Sequence, residues 1–259
     1  MPHTASERYA VVSCHVERLL DDRVWARFAR LQRRRPGGFA IAALLRPPDE
    51  AAGEDAARWV QRAREAAVHG PLGHHTHWGG PATARPQPGS GEPVERVRRE
   101  AAWLREVGLE PRLFCGGGWY LDAAVAGALA ELGYADCTAT AFRPGYLPPE
   151  ARRASVDEPA WLRVDGGNRL LELPTTHSLG MAARAALAPG RGLPGVFHVY
   201  FHDTDLVHAG RRLALAAALR ILGRRRRPTD LLRLAEEVSE TAPELELSVA
   251  LADESRCPP

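Results

Sequence analysis

"GVFHVYFHD", Gly195 to Asp203, is the strongest strand signal in the chain. It is dense in β-branched and aromatic residues, and it stops at a histidine and an aspartate. Upstream lie a helical stretch, "SLGMAARAAL", and a hairpin, "WLRVDGGNRLLELP", turning at Gly166 and Gly167. Downstream come two helices, "RRLALAAALRILG" and "PTDLLRLAEEVSE", then "LELSVAL" as a last strand. Toward the N-terminus the strand candidates are "YAVVSC", "GGFAIAALL", "GPLGHHTH", "EPRLFC" and "ADCTATAF". Helices separate them. In residues 21–35, Val24, Trp25, Phe28 and Leu31 share one face. "GEDAARWVQRAREAAVHG" closes on Gly70, and "PVERVRREAAWLREVG" is bracketed by Pro93 and Gly108. "YLDAAVAGALAELGY" is the fourth helix of this half. Residues 82–93 read as a long Pro/Gly/Ser loop, and residues 143–159 as a Pro-rich irregular connection. Strand and helix alternate about seven times without a linker, so the strands are parallel with helices outside: a barrel or a doubly wound sheet.

The size agrees. A chain of 259 residues suits one α/β domain over residues 1–259, with its core at about 9–250 and a tail at 251–259. The sequence has no lysine, so all 34 basic residues are arginine. That excludes a Schiff-base lysine and a phosphate-loop lysine. A net charge of +2 gives no case for nucleic acid. The N-terminus lacks the basic start and apolar run of a signal peptide, and no stretch approaches a membrane span. Cys14, Cys115, Cys137 and Cys257 form no CxxC pair, which reads as reduced thiols in a cytoplasmic protein.

In parallel α/β folds the active site lies at the C-terminal ends of the strands. Here those exits carry His15 and Glu17, then His74, His75 and His77, then Cys115 with Gly116–Gly118, then His177, then His202 and Asp203. Six of the ten histidines fall at strand exits, which is why metal-assisted chemistry is the leading reading. His75 and His77 are two apart, so on an extended segment both project to one side and reach one ion. Glu17 supplies an anionic third ligand, or else acts as a helix-start acid. His74 points to the other face as a structural residue. A catalytic centre of this kind keeps three protein ligands and an open position. Imidazole suits zinc, nickel and iron.

These motifs resemble the polysaccharide deacetylase family, the NodB-like carbohydrate esterases of family 4 type, as a divergent member. The resemblance runs over about residues 9–237. It rests on "HVE" at the first strand exit, "HHTH" at the third, "CGGGWY" at the fourth and "VFHVYFHD" near the end. It implies a distorted (β/α)7 barrel. It implies a divalent metal on Glu17, His75 and His77, with zinc first and cobalt, nickel or iron as alternatives. His15 stands where the family has its base aspartate, and His202 where it has its general acid. Two departures stand out. The usual HxxxH spacing would put the second histidine at Gly79, and "CGGGWY" lacks the arginine of the family's turn.

The implied activity is removal of an N-acetyl or O-acetyl group from an amino sugar, a sugar precursor or a glycosylated metabolite. The alternatives are a non-catalytic barrel that binds a glycan or partner, and hydrolysis of a non-sugar C–N bond. Asp203 is placed beside the catalytic histidine, as orienter or cap. Trp78, Gly117, Trp119, Tyr120 and His177 are substrate-binding candidates, with the aromatics either stacking on a sugar or packing in the core. Cys14 beside His15 is either a nucleophile or a small buried hydrophobe. Arg224–Arg227, in "GRRRRP", is either a solvated helix end or a patch for an anionic lipid surface.

Overall fold

The computed structural model describes residues 8–148, 151, 153–187 and 193–252. The expected tail and Cys257 lie outside the described residues, apart from residues 251–252. The strands are β1 (Tyr9–Val16), β2 (Ala42–Leu45), β3 (Leu72–Thr76), β4 (Leu113–Gly116), β5 (Ala135–Asp136), β6 (Ala160–Arg163), β7 (Arg169–Glu172), β8 (His177–Ser178), β9 (Val196–His202), β10 (Arg227–Pro228) and β11 (Glu244–Glu246). The helices are α1 (Asp22–Arg34), α2 (Ala56–Ala67), α3 (Pro93–Glu106), α4 (Ala123–Leu132), α5 (Leu179–Leu187), α6 (Ala209–Arg225), α7 (Leu231–Val238) and α8 (Leu247–Ala252). Aspartates cap four of the helices. Asp21, Asp55, Asp122 and Asp230 each accept backbone N–H groups of the first turn, worth about 1 kcal/mol apiece.

The sheet order is β11-β6-β7-β5-β4-β3-β2-β1-β9-β8, with β10 beside β1. Every pairing is parallel except the β6–β7 hairpin. The α/β class therefore stands, with a parallel-dominated sheet. The strand pairing itself does not close the sheet: the paired path is open, running from β11 to β8. Residues 173–176 interrupt what would be one strand between β7 and β8, and Pro174 among them has no N–H to donate. Two smaller expectations also change. "ADCTATAF" keeps only two paired residues plus a bridge from Thr140 to Thr175. "LELSVAL" divides into the end of β11, which pairs β6, and helix α8.

The alternation of side chains positions everything that follows. On β1, Ala10, Val12, Cys14 and Val16 pack into a core with α1 and α6, whereas Val11 joins a second core behind the sheet. On β9, Phe197, Val199 and Phe201 take the helix side, and Val196 and Tyr200 the other. On β4, Phe114 packs toward α3 and α4, and Leu113 and Cys115 away from them. The period of two thus carries His15, His75, Cys115 and His202 to the face opposite those helices.

Candidate metal centre

Four imidazoles and one carboxylate meet at the exits of β1, β3 and β9. Glu17 Oε1 lies 3.2 Å from His77 Nε2, 3.8 Å from His75 Nε2 and 3.6 Å from His202 Nε2. The ring of His15 lies 4.5 Å from that of His75 and 5.2 Å from that of His202. Backbone carbonyls fix the two β3 histidines. His75 Nδ1 donates to Cys115 O at 2.8 Å, and His77 Nδ1 donates to Pro81 O at 3.0 Å. Both rings therefore aim Nε2 toward Glu17, and that of His77 is within hydrogen-bond distance of Glu17 Oε1. A proton or a cation must sit between such a nitrogen and the carboxylate. This outer-shell carbonyl arrangement is how metal-binding histidines are held.

The donor set fits a divalent ion. One donor atom each from Glu17, His75 and His77 lies within 4.8 Å of the other two. Ligand bonds of 2.0–2.1 Å in a tetrahedron put neighbouring donors about 3.3–3.4 Å apart, close to the separations seen. His75 Nε2 is buried without a hydrogen-bond partner, as a waiting ligand atom would be. Burial alone would raise the Glu17 carboxyl, but His75, His77 and His202 outweigh it and hold the group well below the usual carboxylate range. Burial pushes His75 down, with His77 adding to the effect, and pushes His15 well down, helped by His75 and His202. Both imidazoles are thus kept neutral, the form that binds a metal or accepts a proton.

The centre opens on a cavity of about 440 Å³ lined by His15, Glu17, His75, His202, Trp119 and Arg85, among others. A separate cavity of about 320 Å³ is lined by His77 together with Arg46, Arg96 and Trp103, among others. Asp203 is fully buried beneath the rim, and its Oδ2 accepts Arg18 N at 2.8 Å. It ties the β9 exit to the loop that carries Glu17. Burial raises its carboxyl to about 7, against the pull of the Arg18 N–H.

The substrate-binding candidates divide. Trp119 lines the cavity, its ring 5.3 Å from His15 and its Nε1 donating to Tyr146 Oη at 2.6 Å. Its backbone is left-handed at φ 60°, a conformation that costs energy in any non-glycine residue. Gly117 is a packing position: a Cβ there would come within 2.5 Å of Thr76 O. Trp78, Tyr120 and His177 do not line the cavity. Trp78 is 1% exposed, donates Nε1 to Gly117 O and packs on Tyr120. The Tyr120 hydroxyl donates to Asp122. His177 stacks at 3.8 Å on Phe197, which belongs to the helix-side core, so it faces away from the centre. His74 goes to the far face as expected, bonded there to Glu100 and Thr76.

The sequence reading missed Arg85 and Tyr146, both from the irregular loops. Arg85 lines the cavity and donates to Gly118 O at 2.6 Å, bringing a guanidinium to the very turn that lacks its own. For Arg85, a single basic residue in a Pro/Gly-rich loop was the available signal. The arginine run is not one patch. Arg226 is 7% exposed and donates to Tyr9 O, Pro194 O and Gly195 O, and Arg227 pairs with Glu237. No described helix is long and apolar enough to cross a membrane. Cys14 is buried on the helix side of β1, as a small hydrophobe would be.

No protein-family model and no curated protein matches the chain. Solved structures do. A 4-alpha-glucanotransferase from Thermococcus litoralis superposes at TM-score 0.59 with 12% identity, over 93% of this chain and 42% of that one. This chain therefore spans less than half the glucanotransferase. A GH57 branching enzyme from Thermococcus kodakaraensis gives 0.56 with 12% identity, over 93% and 73%. A family 4 carbohydrate esterase from Streptomyces lividans, solved with acetate, gives 0.48 with 13% identity, over 85% and 91%. At 12% identity the likeness to the glucanotransferase and the branching enzyme is one of fold.

Proposed function

We propose that the chain is a metal-dependent hydrolase that removes an acetyl group from an amino sugar or a related glycosylated metabolite. The observation that carries this reading is the convergence of His75 and His77 Nε2 on Glu17 Oε1, with both Nδ1 atoms tied to backbone carbonyls. A divalent ion held by these three residues would polarise the acyl carbonyl and make water acidic enough to attack at neutral pH. The chain's own residues supply the rest. His15, kept neutral by burial, accepts the proton of the attacking water. His202, with 34% of its side chain exposed at the cavity, returns a proton to the leaving nitrogen or oxygen. Asp203 holds the Glu17 loop in place through Arg18 N. Trp119 offers an aromatic wall, and Arg85 a guanidinium, for a polar ring substrate.

Glycosyl transfer, the activity named for two of the fold neighbours, is the reading to weigh against this one. It needs a pair of carboxyl groups about 5–9.5 Å apart across the bond to be broken. Glu17 is the one carboxylate among the described residues that line the cavity. The surplus there is imidazole, which favours metal-assisted hydrolysis. We read the sheet, in addition, as a distorted (β/α)7 barrel. Leu173 N and Thr175 N donate to Asp136 O and Ala139 O on one side, and Thr176 N to His198 O on the other. Residues 169–178 would then serve as one interrupted strand that bridges both edges.

The test is metal content together with acetate release. Protein purified without added metal, and after supplements of zinc, cobalt, nickel and iron, is expected to hold about one ion per chain. It is expected to release acetate from some member of a panel of N-acetylated and O-acetylated sugars and nucleotide sugars. A chain that holds no stoichiometric ion under any supplement would end the metallohydrolase reading.

A further inference from the structure

A second set of donors shares a wall with the centre. One nitrogen of His15, one of His75 and the Cys115 sulfur all lie within 4.8 Å of one another. The sulfur is 3.5 Å from His15 Nε2. The three residues come from β1, β3 and β4 and are 3%, 1% and 0% exposed. The other contacts of the thiol are long: 3.9 Å to Gly116 O and 3.8 Å to Cys137 O. Acetyl hydrolysis makes no use of a thiol, so this cluster is unassigned by the reaction proposed above.

We propose that His15, His75 and Cys115 form a sulfur-bearing metal position that takes thiophilic ions and competes with the Glu17–His75–His77 position for His75. Three features support it. Thiolate with imidazole selects soft and borderline ions such as cadmium, copper(I) and zinc, whereas carboxylate favours harder ones. Metal bonds of about 2.3 Å to sulfur and 2.0–2.1 Å to nitrogen set S···N separations near 3.5 Å in a tetrahedron, the spacing found between Cys115 and His15. His75 has one uncommitted nitrogen, because Nδ1 donates to Cys115 O. It serves one ion at a time. On binding, the thiol proton goes to solvent and a sulfur–metal bond replaces it. A thiophilic ion thereby also captures His15, the residue that would otherwise accept the proton from water. The proposal rests on the metal reading above only through the shared His75.

The experiment titrates metal-free protein with cadmium chloride, and separately with cobalt chloride. It reads the ultraviolet thiolate-to-metal charge-transfer band and the visible d–d bands. In the wild type, cadmium is expected to give the charge-transfer intensity of one thiolate per ion. That band persists in His77→Ala. In Cys115→Ser, cadmium affinity falls about 100-fold or more while cobalt d–d bands remain. Cadmium is expected to displace cobalt one for one. A cadmium band unchanged in Cys115→Ser would place the sulfur elsewhere and overturn the proposal. So would cobalt d–d bands without any cadmium charge transfer, which would leave the Glu17 position standing. Simultaneous binding of both ions would overturn the competition. Absence of any bound ion would end both readings. Should Cys115→Ser fail to fold, cadmium-113 NMR of the wild type decides: a sulfur-deshielded resonance supports the site, and a nitrogen/oxygen resonance overturns it.

Discussion

The chain uses histidine in two ways, and the difference lies in whether several rings converge on one target. At the β1, β3 and β9 exits, His75 and His77 commit Nδ1 to a carbonyl and leave Nε2 aimed at one carboxylate oxygen. Deeper in the fold, the rings are used up. His74 Nε2 meets Glu100 Oε2 and Thr76 Oγ1, with Tyr134 Oη 3.4 Å from Nδ1. His198 Nε2 meets Ser13 Oγ at 2.8 Å, and Nδ1 meets Leu173 O at 3.3 Å. A saturated imidazole is a structural bolt. Rings that share one carboxylate oxygen are arranged as the ligands of one ion would be. Neighbours in sequence, His74 and His75, fall on opposite sides of this divide because a strand alternates its faces.

The largest test of the contrast is to truncate both kinds. His75→Ala or His77→Ala is expected to abolish cobalt binding at the Glu17 position and reduce acetate release by about four orders of magnitude, the scale of the several kcal/mol a Lewis acid supplies. The fold should survive, since Glu17 keeps two imidazole neighbours after either change. His74→Ala should do the reverse: metal retained, and about 2–3 kcal/mol of stability lost from the stranded Glu100 and Thr76 groups. Metal analysis beside urea denaturation reads both. Loss of metal in His74→Ala would erase the distinction.

His202 sharpens it further. His202→Asn should lower kcat by about 10²–10³-fold with metal content unchanged, the signature of a proton donor that is not needed as a ligand. If metal is lost as well, His202 belongs to the ligand set, which its 3.6 Å approach to Glu17 would allow.

The interior class carries a pH signature of its own. Burial pushes His198 down to about 4, against the pull of Leu173 O. Between that value and the ordinary 6.5, the unfolded chain binds the proton more tightly than the folded one. Stability therefore falls as pH drops through 6.5 toward 4, by up to about 3 kcal/mol, and is unaffected by this group above 6.5. Denaturation midpoints of wild type and His198→Gln across pH 4–7 should converge at the acid end. Parallel curves would show that His198 does not titrate with unfolding.

Much of this division was legible in the sequence, and the reasons for the gaps are specific. The apolar runs of β1 and β9 and the helices between them follow from periodicity. The spacing of His75 and His77 announces a shared face, and the structure carries both to Glu17. Trp78 and Trp119 look alike in sequence, yet one is core and the other lines the cavity. The left-handed backbone at Gly118 and Trp119 decides that, and no local pattern encodes it. His177 follows Pro174, where the strand breaks, so counting faces from β7 fails. Arg85 and Tyr146 arrive on loops, whose packing against the rim depends on tertiary contacts rather than on period.

The smallest effect tests whether the two histidine classes are independent. Glu100 Oε2 takes hydrogen bonds from both His74 and Thr76 on the far face of β3, directly behind the residues that aim at Glu17. Glu100→Gln keeps the shape and one acceptor oxygen but removes the charge. The expected cost is about 1 kcal/mol in stability, the worth of a charge-assisted hydrogen bond reduced to a neutral one. Metal affinity should stay within about threefold, because His75 and His77 are oriented by Cys115 O and Pro81 O rather than by His74. A tenfold loss of metal affinity in Glu100→Gln would mean that the far-face network sets the twist of β3 at its exit. His74 would then be a positioning residue for the centre, and the boundary between bolt and ligand would run through the strand rather than along its two faces.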